Sequence, residues 1–188
     1  MNRLNITIRE ATIDDAKLIA SVVGNAIGEE LVREFIGVNW LDVLTEVARL
    51  DTSQYSYRNA LIAEVDGVAV GAVVGYDGAL LNLLRAQTLG IIHRYNPAFV
   101  FSEDETEVGE YYLDSLYVKN QYRKLGIATC LITAFCDRAF SKGHTRVGLI
   151  VDFDNPTAER LYSSLGFERV KKRTFLGHQM WHLQKKIG

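Results

Sequence analysis

The chain has 188 residues, 48% hydrophobic and 23% charged, with a formal net charge of -2. This is enough apolar material for one sizeable core and a single domain over residues 1–188, and it excludes a nucleic-acid partner held by a broad basic surface. Cys130 and Cys136 lie six apart in what reads as one helix, on different faces, so they cannot bridge, and a reduced cytoplasmic setting is expected.

The opening Met1-Asn2-Arg3-Leu4-Asn5 reaches Arg9 and Glu10 without an apolar signal core, and no stretch approaches the ~20 apolar residues of a membrane span, so no membrane partner is expected. Ile6-Thr7-Ile8 alternates as a strand. Thr12 and Asp15 have the spacing of a capping box, with Asp in place of Glu or Gln, and Ala16, Ile19, Ala20 and Val23 form the apolar stripe of a helix that follows. A second helix is predicted near Leu41 to Leu50; Gly28 to Gly37, with Glu29, Glu30 and Glu34, reads as helix or loop. The apolar runs Ala60–Val65 and Val68–Val74 flank Asp66-Gly67, which suits a type I′ turn and predicts a hairpin.

Leu80, Leu81, Leu84, Leu89 and Ile92 give a helical pattern between Ala79 and Tyr95, weakened by Gly90. Residues 102–107 are acidic and aperiodic and read as a solvated loop that could also attract a cationic amine. Beyond Glu110 the pattern is strand (Tyr111 to Val118), helix (Gly126 to Lys142, stopped by Gly143), strand (Arg146 to Val151), helix (Pro156 to Leu165) and two strands (Phe167 to Arg173, Gln179 to Gln184). This alternation predicts an α/β (α+β) domain with a mixed, partly parallel central sheet flanked by helices on both faces. Repeats, low-complexity tracts and linkers are absent from the sequence.

The strongest local feature is the strand-to-helix turn through Arg123-Lys124-Leu125-Gly126-Ile127-Ala128. Small residues there let an anion approach the unpaired N–H groups and positive dipole end of a helix. Neither a nucleotide P-loop nor a dinucleotide glycine pattern is present. Asn155-Pro156 is a good helix start, with Gly166 closing that helix.

The pattern Arg/Gln-x-x-Gly-x-Gly/Ala at Arg123 to Ala128, followed by Asn155, Ala158, Leu161-Tyr162 and Gly166-Phe167, resembles the GCN5-related N-acetyltransferase (GNAT) superfamily. The clear likeness covers residues 111–184; residues 77–108 fall where the family varies its substrate pocket. The resemblance implies a single-domain GNAT fold and an acetyl-CoA-dependent N-acetyltransferase, with transfer to a primary amine of a small molecule or peptide in a ternary complex. It implies that backbone amides from Lys124 and Leu125 through Gly126, Ile127 and Ala128 to Thr129 hold the coenzyme A pyrophosphate beside Arg123. Leu116, Tyr117 and Val118 would meet the pantetheine arm, together with Asn155, which caps its helix as well or instead. Tyr162 would protonate the departing thiolate, the alternative being that it only packs with Ala158, Leu161 and Leu165. Many family members have Gly at the positions of Lys124 and Ala128; the Lys124 charge either favours a phosphate or is solvated.

An alkyl amine with a pKa of about 10.4 is almost wholly protonated at pH 7 and cannot attack a thioester, so a base or water relay is required. Period-two alternation sets Glu110, Tyr112 and Asp114 on the face of Leu116 and Val118. Asp114 is the first candidate base and Glu110 the second. The run Tyr111-Leu113-Asp114 with Tyr117-Val118 resembles polyamine acetyltransferases of the superfamily, whose acidic residue at the Asp114 position acts through water; an acid in a local hydrogen-bond network is the other reading. A main-chain N–H near Leu116 would meet the developing oxyanion. Cys130 and Cys136 are expected to be inert. His93, His144, His178 and His182 have no ligand spacing on one element, so no metal is expected. A homodimer through the C-terminal strands is left open, and the competing function is a non-catalytic acyl-CoA-binding sensor or scaffold.

Overall fold

The structure, a computed structural model, describes residues 4–101 and 103–188. Residues 1–3 of the opening segment and Ser102 of the acidic run lie outside them. In chain order the elements are β1 (Ile6–Glu10), α1 (Ala16–Ile27), α2 (Glu29–Ile36), α3 (Trp40–Arg49), β2 (Ala60–Val65), β3 (Val68–Asp77), α4 (Leu81–Ile92), β4 (Tyr111–Val118), α5 (Ile127–Ser141), β5 (Arg146–Asp152), α6 (Pro156–Ser164), β6 (Glu168–Phe175) and β7 (His178–Lys186). The segment left open by the sequence is thus α2. The strands form one seven-stranded sheet in the order β1-β2-β3-β4-β5-β7-β6, antiparallel throughout except for β4 beside β5. No helix among the described residues is long and apolar enough to cross a membrane.

Local chemistry explains the boundaries. Asp66 and Gly67 both take positive φ, 51° and 79°, the twist that a two-residue hairpin needs. The capping-box spacing at Thr12 produces one turn of 3-10 helix ahead of α1, in which Asp15 Oδ2 accepts from the Thr12 N–H at 2.8 Å and is paired with Arg9 at 2.7 Å. Strand alternation then sorts side chains onto two cores. Leu61, Ala63 and Val65 of β2 pack with Leu131 and Phe135 of α5 and Tyr162 of α6, while Ala60 and Ile62 face Ile19 and Val23 of α1 and Leu44 of α3.

Two irregularities open the sheet. Val74 pairs with Ser115 and Gly75 with Leu113, so Asp114 is an extra residue in β4, a bulge. A Cβ on Gly75 would lie 2.2 Å from the Tyr112 carbonyl oxygen, so only glycine allows this approach. The bulge reverses the alternation: Tyr111 and Leu113, then Leu116 and Val118, all face α5, whereas Tyr112 packs with Tyr76 on the opposite face. The expected face of Asp114 is therefore corrected. It turns to the Tyr112 side, where it bonds Tyr76, and not to that of Leu116 and Val118.

The second irregularity is the short parallel seam. Only Tyr111 and Tyr112 of β4 pair with Val147 and Gly148 of β5, after which the strands part. The Glu110 side chain fills the space over Gly148, where a Cβ would come within 1.9 Å of its carboxylate.

Candidate functional site

The parting of β4 and β5 leaves a cleft of about 410 Å³ walled by Asp114, Leu116 and Tyr117 on one side and Ile150, Val151 and Asp152 on the other. Tyr162, Asn155 and Arg123 also line it, as do Glu105 and Phe101 of the segment before β4. Of the residues singled out from sequence, Asp114, Tyr162, Asn155, Leu116, Tyr117 and Arg123 are thus gathered round one cavity. A wider open groove at the other end of the sheet contains Asp51 and Glu10, but these carboxylates already serve Arg58 and Arg138.

The turn into α5 is built to present backbone. Lys124 and Gly126 adopt left-handed φ of 61° and 80°, and the first intrahelical bond is Cys130 N–H to the Gly126 carbonyl at 3.1 Å. The N–H groups from Lys124 through Leu125, Gly126, Ile127 and Ala128 to Thr129 consequently have no protein acceptor among the described residues. A Cβ on Gly126 would meet nothing within 4 Å, so the space before these amides is open. Arg123 secures the turn by donating from Nε to the Val118 carbonyl at 3.1 Å, with its guanidinium 5.1 Å from the centre of the Tyr117 ring. Val118 itself is buried and does not line the cleft.

Asn155 caps α6, its Oδ1 accepting from the Ala158 N–H at 3.1 Å, which leaves the NH₂ group of this exposed residue without a protein partner among the described residues. Tyr162 is only 9% exposed and packs edge-on to Phe167. Burial pushes its hydroxyl up to about 12, so it holds its proton at neutral pH.

Asp114 accepts from Ser115 Oγ at 2.8 Å and lies 3.2 Å from the Tyr76 hydroxyl. Burial, reinforced by the negative charge of Glu105, pushes its carboxyl up to about 7 against the opposing hydrogen bonds of Ser115 and Tyr76.

The acidic run is not a solvated loop. Glu105 is 2% exposed and ion-paired to Arg85 of α4, and it accepts from Gln54 Nε2 at 2.9 Å. Arg85 also holds Asp104 at 2.8 Å, and Glu107 is gripped by Arg173 at 2.6 Å and by Lys171. Burial raises the Glu105 carboxyl even with Arg85 beside it. Composition suggested solvent because the partners of these acids are remote in sequence. The available signal was Arg85, the single charge on an otherwise uncharged α4.

Glu110, the second candidate base, is absent from the cleft wall. It is wholly buried, accepting from His182 Nε2 at 2.9 Å, Gln184 Nε2 at 2.7 Å and Thr106 Oγ1 at 2.7 Å. Burial alone would raise its carboxyl, but these bonds outweigh it and hold it below the usual range. Arg173 Nε donates to His182 Nδ1 at 3.3 Å, which leaves Nε2 as the ring nitrogen that faces Glu110. The fold thereby brings donor atoms of Glu107, Glu110 and His182 within 4.8 Å of one another, a grouping that histidine spacing did not reveal; all three are occupied by protein partners. Cys130 and Cys136 are free thiols, Cys136 buried.

Residues 24–167 match the Acetyltransferase (GNAT) family. No curated protein sequence matches the chain. Among solved structures, an acetyltransferase is 31% identical over 97% of this chain and 100% of that one, with a TM-score of 0.82. An N-acetyltransferase from Staphylococcus aureus Mu50 is 26% identical over 95% of this chain and 99% of that one, with a TM-score of 0.81. The PaiA N-acetyltransferase from Thermoplasma acidophilum in complex with coenzyme A shares the fold at 18% identity, covering 97% of this chain and 99% of that one, with a TM-score of 0.59. With the matched segment running from α1 through α6 and the split sheet and amide-presenting turn inside it, the chain belongs to the GNAT acetyltransferase family.

Proposed function

We propose that the chain is an acetyl-CoA-dependent N-acetyltransferase that passes an acetyl group directly to a primary amine of a small molecule or peptide. The observation that carries this reading is the pairing, in one cleft, of a carboxyl poised near neutrality, Asp114, with a hydroxyl that stays protonated, Tyr162. Proton removal from an amine needs a base matched to the working pH, and a departing thiolate needs an acid that has kept its proton. A non-catalytic acyl-CoA sensor would require neither.

The site fits the cosubstrate: the unpaired amides of Lys124 to Thr129 suit a pyrophosphate, and the NH₂ group of Asn155 suits an amide of the pantetheine arm. Bound acetyl-CoA supplies the thioester carbon that the amine attacks. Asp114 takes the amine proton, directly or through one water, and Tyr162 donates to the sulfur. The segment from α4 to β4 bounds the acceptor end through Phe101 and Glu105. The Asp114 carboxylate beside it, with no cation paired to it among the described residues, favours a cationic amine that sheds its proton on binding.

Two results test the reading. Gly126→Asp tolerates the left-handed backbone and adds a carboxylate facing the amides, so calorimetric titration with acetyl-CoA is expected to show affinity reduced at least ~100-fold, with Gly126→Asn close to the parent. A parent that folds but binds no acetyl-CoA would overturn the proposal. Tyr162→Phe is expected to keep acetyl-CoA affinity yet lower thiol release with the best of a panel of amines by ~10²-fold. Unchanged turnover would remove Tyr162 from the chemistry.

A further inference from the structure

The Tyr76 hydroxyl has three close neighbours and one hydrogen. Gln54 Nε2 lies at 3.1 Å, Glu105 Oε1 at 3.1 Å and Asp114 Oδ2 at 3.2 Å. Gln54 must donate, because the reverse orientation would set its amide oxygen against the Glu105 carboxylate, and its two hydrogens serve Tyr76 and Glu105. The hydroxyl can then donate to one carboxyl only. Its contact with the other is a hydrogen bond only when that carboxyl carries a proton.

The surroundings decide which one. Glu105 faces the Arg85 guanidinium, which favours its charged form. Among the described residues Asp114 has only hydroxyl donors, Ser115 and Tyr76, and the groups turned toward it are Glu105 of the pre-β4 segment, Tyr55 of the α3–β2 connection, Tyr76 of β3, Tyr112 of β4 and, more remotely, Arg85 of α4. All three tyrosines are buried.

We propose that Tyr76 is a positioning residue for the Asp114 proton, its hydroxyl turning between Asp114 and Glu105 as Asp114 loses and gains that proton. This rests on Asp114 being the base. With Asp114 ionised, Tyr76 donates to Asp114 Oδ2, while Glu105 keeps Arg85 and Gln54. When Asp114 takes the amine proton, its new O–H donates to the Tyr76 oxygen and the Tyr76 hydrogen turns to Glu105 Oε1. No bond of Tyr76 breaks, and the proton later passes from Asp114 to water. Each protonation state leaves every buried oxygen of the trio paired, which removes the penalty that would otherwise accompany one of the two states.

The test is a pH-difference infrared titration of the full chain, alone and as Asp114→Asn, Tyr76→Phe and Glu105→Gln. The parent should show one carboxyl C=O band titrating near neutrality, absent in Asp114→Asn, accompanied by a change in a tyrosine C–O band. Tyr76→Phe should abolish the tyrosine change and move the carboxyl midpoint up by about one pH unit, because the ionised form loses a charge-assisted bond and the neutral form only a weaker one. Glu105→Gln should move it down, because a neighbouring negative charge is gone. A neutral-range carboxyl band that survives Asp114→Asn, or none in the parent, would overturn the assignment of the base. A band belonging to Asp114 but with silent tyrosine modes, or a midpoint unmoved in Tyr76→Phe, would overturn the role of Tyr76 alone. Should Tyr76→Phe fail to fold, the coupled bands of the parent decide between these outcomes.

Discussion

Asp114→Asn is expected to lower kcat/KM for acetyl transfer to an alkyl amine by roughly 10²- to 10⁴-fold while leaving acetyl-CoA affinity within about threefold of the parent. The asparagine keeps the size of the side chain and removes its capacity to hold a proton. An ordinary aspartate, with a pKa of about 3.9, would be too weak a base for an ammonium of about 10.4, and the upward displacement to about 7 halves that mismatch. Because the ionised form is the active one, parental kcat/KM should rise as pH increases through about 7, and this limb should be missing from Asp114→Asn. Thiol release followed across the pH range checks both points. The same displacement has a stability consequence of definite sign. The folded carboxyl binds its proton more tightly than the unfolded one, so its contribution is best below the unfolded pKa and declines as pH rises through about 7. Above that pH, Asp114→Asn should melt higher than the parent, so the charge that the proposed mechanism requires is held at the expense of stability.

Glu110→Ala is expected to destabilise the fold by roughly 3–5 kcal/mol, a fall of about 10 °C in Tm for a chain of this size. The substitution empties the space over Gly148 and leaves four donors, the Glu107 N–H and the side chains of Thr106, His182 and Gln184, without their acceptor. Its pH dependence is opposite to that of Asp114. The folded Glu110 carboxyl is held below the unfolded value, so its contribution is present above about pH 4.3 and is lost as pH falls through the folded pKa. Thermal melts of parent and variant should therefore converge on acidification. Equal Tm values at neutral pH would mean that Glu110 does not fasten the seam between β4 and β5.

Features whose cause is local were legible in the sequence. Asp66-Gly67 announced its hairpin, Asn155-Pro156 its helix start and Gly126 its amide-presenting turn, because each depends on the φ or capping preference of residues adjacent in the chain. Asp114 and Tyr162 were found by motif, and both line the cleft. What failed was whatever needed a distant partner or an exact count. One extra residue at the β4 bulge reversed the face of Asp114, and strict alternation cannot register an insertion. Glu105 and Glu107 read as solvated because Gln54, Arg85, Lys171 and Arg173, which neutralise or bind them, lie far off in sequence. Glu110, just ahead of β4, shared charge and period-two register with a plausible base, and only the packing of β5 and β7 shows it to be enclosed.

The fastening of the acidic segment also sets an order of events during folding. Glu105 is joined to Gln54 across 51 residues, Glu107 to Arg173 across 66 and Glu110 to His182 across 72. Such contacts repay their loop-closure entropy only after both ends are in place. The α5 turn, by contrast, is made within a few residues. A refolding chain should therefore form the amide-presenting turn early, and complete the wall of the cleft only when β6 and β7 dock.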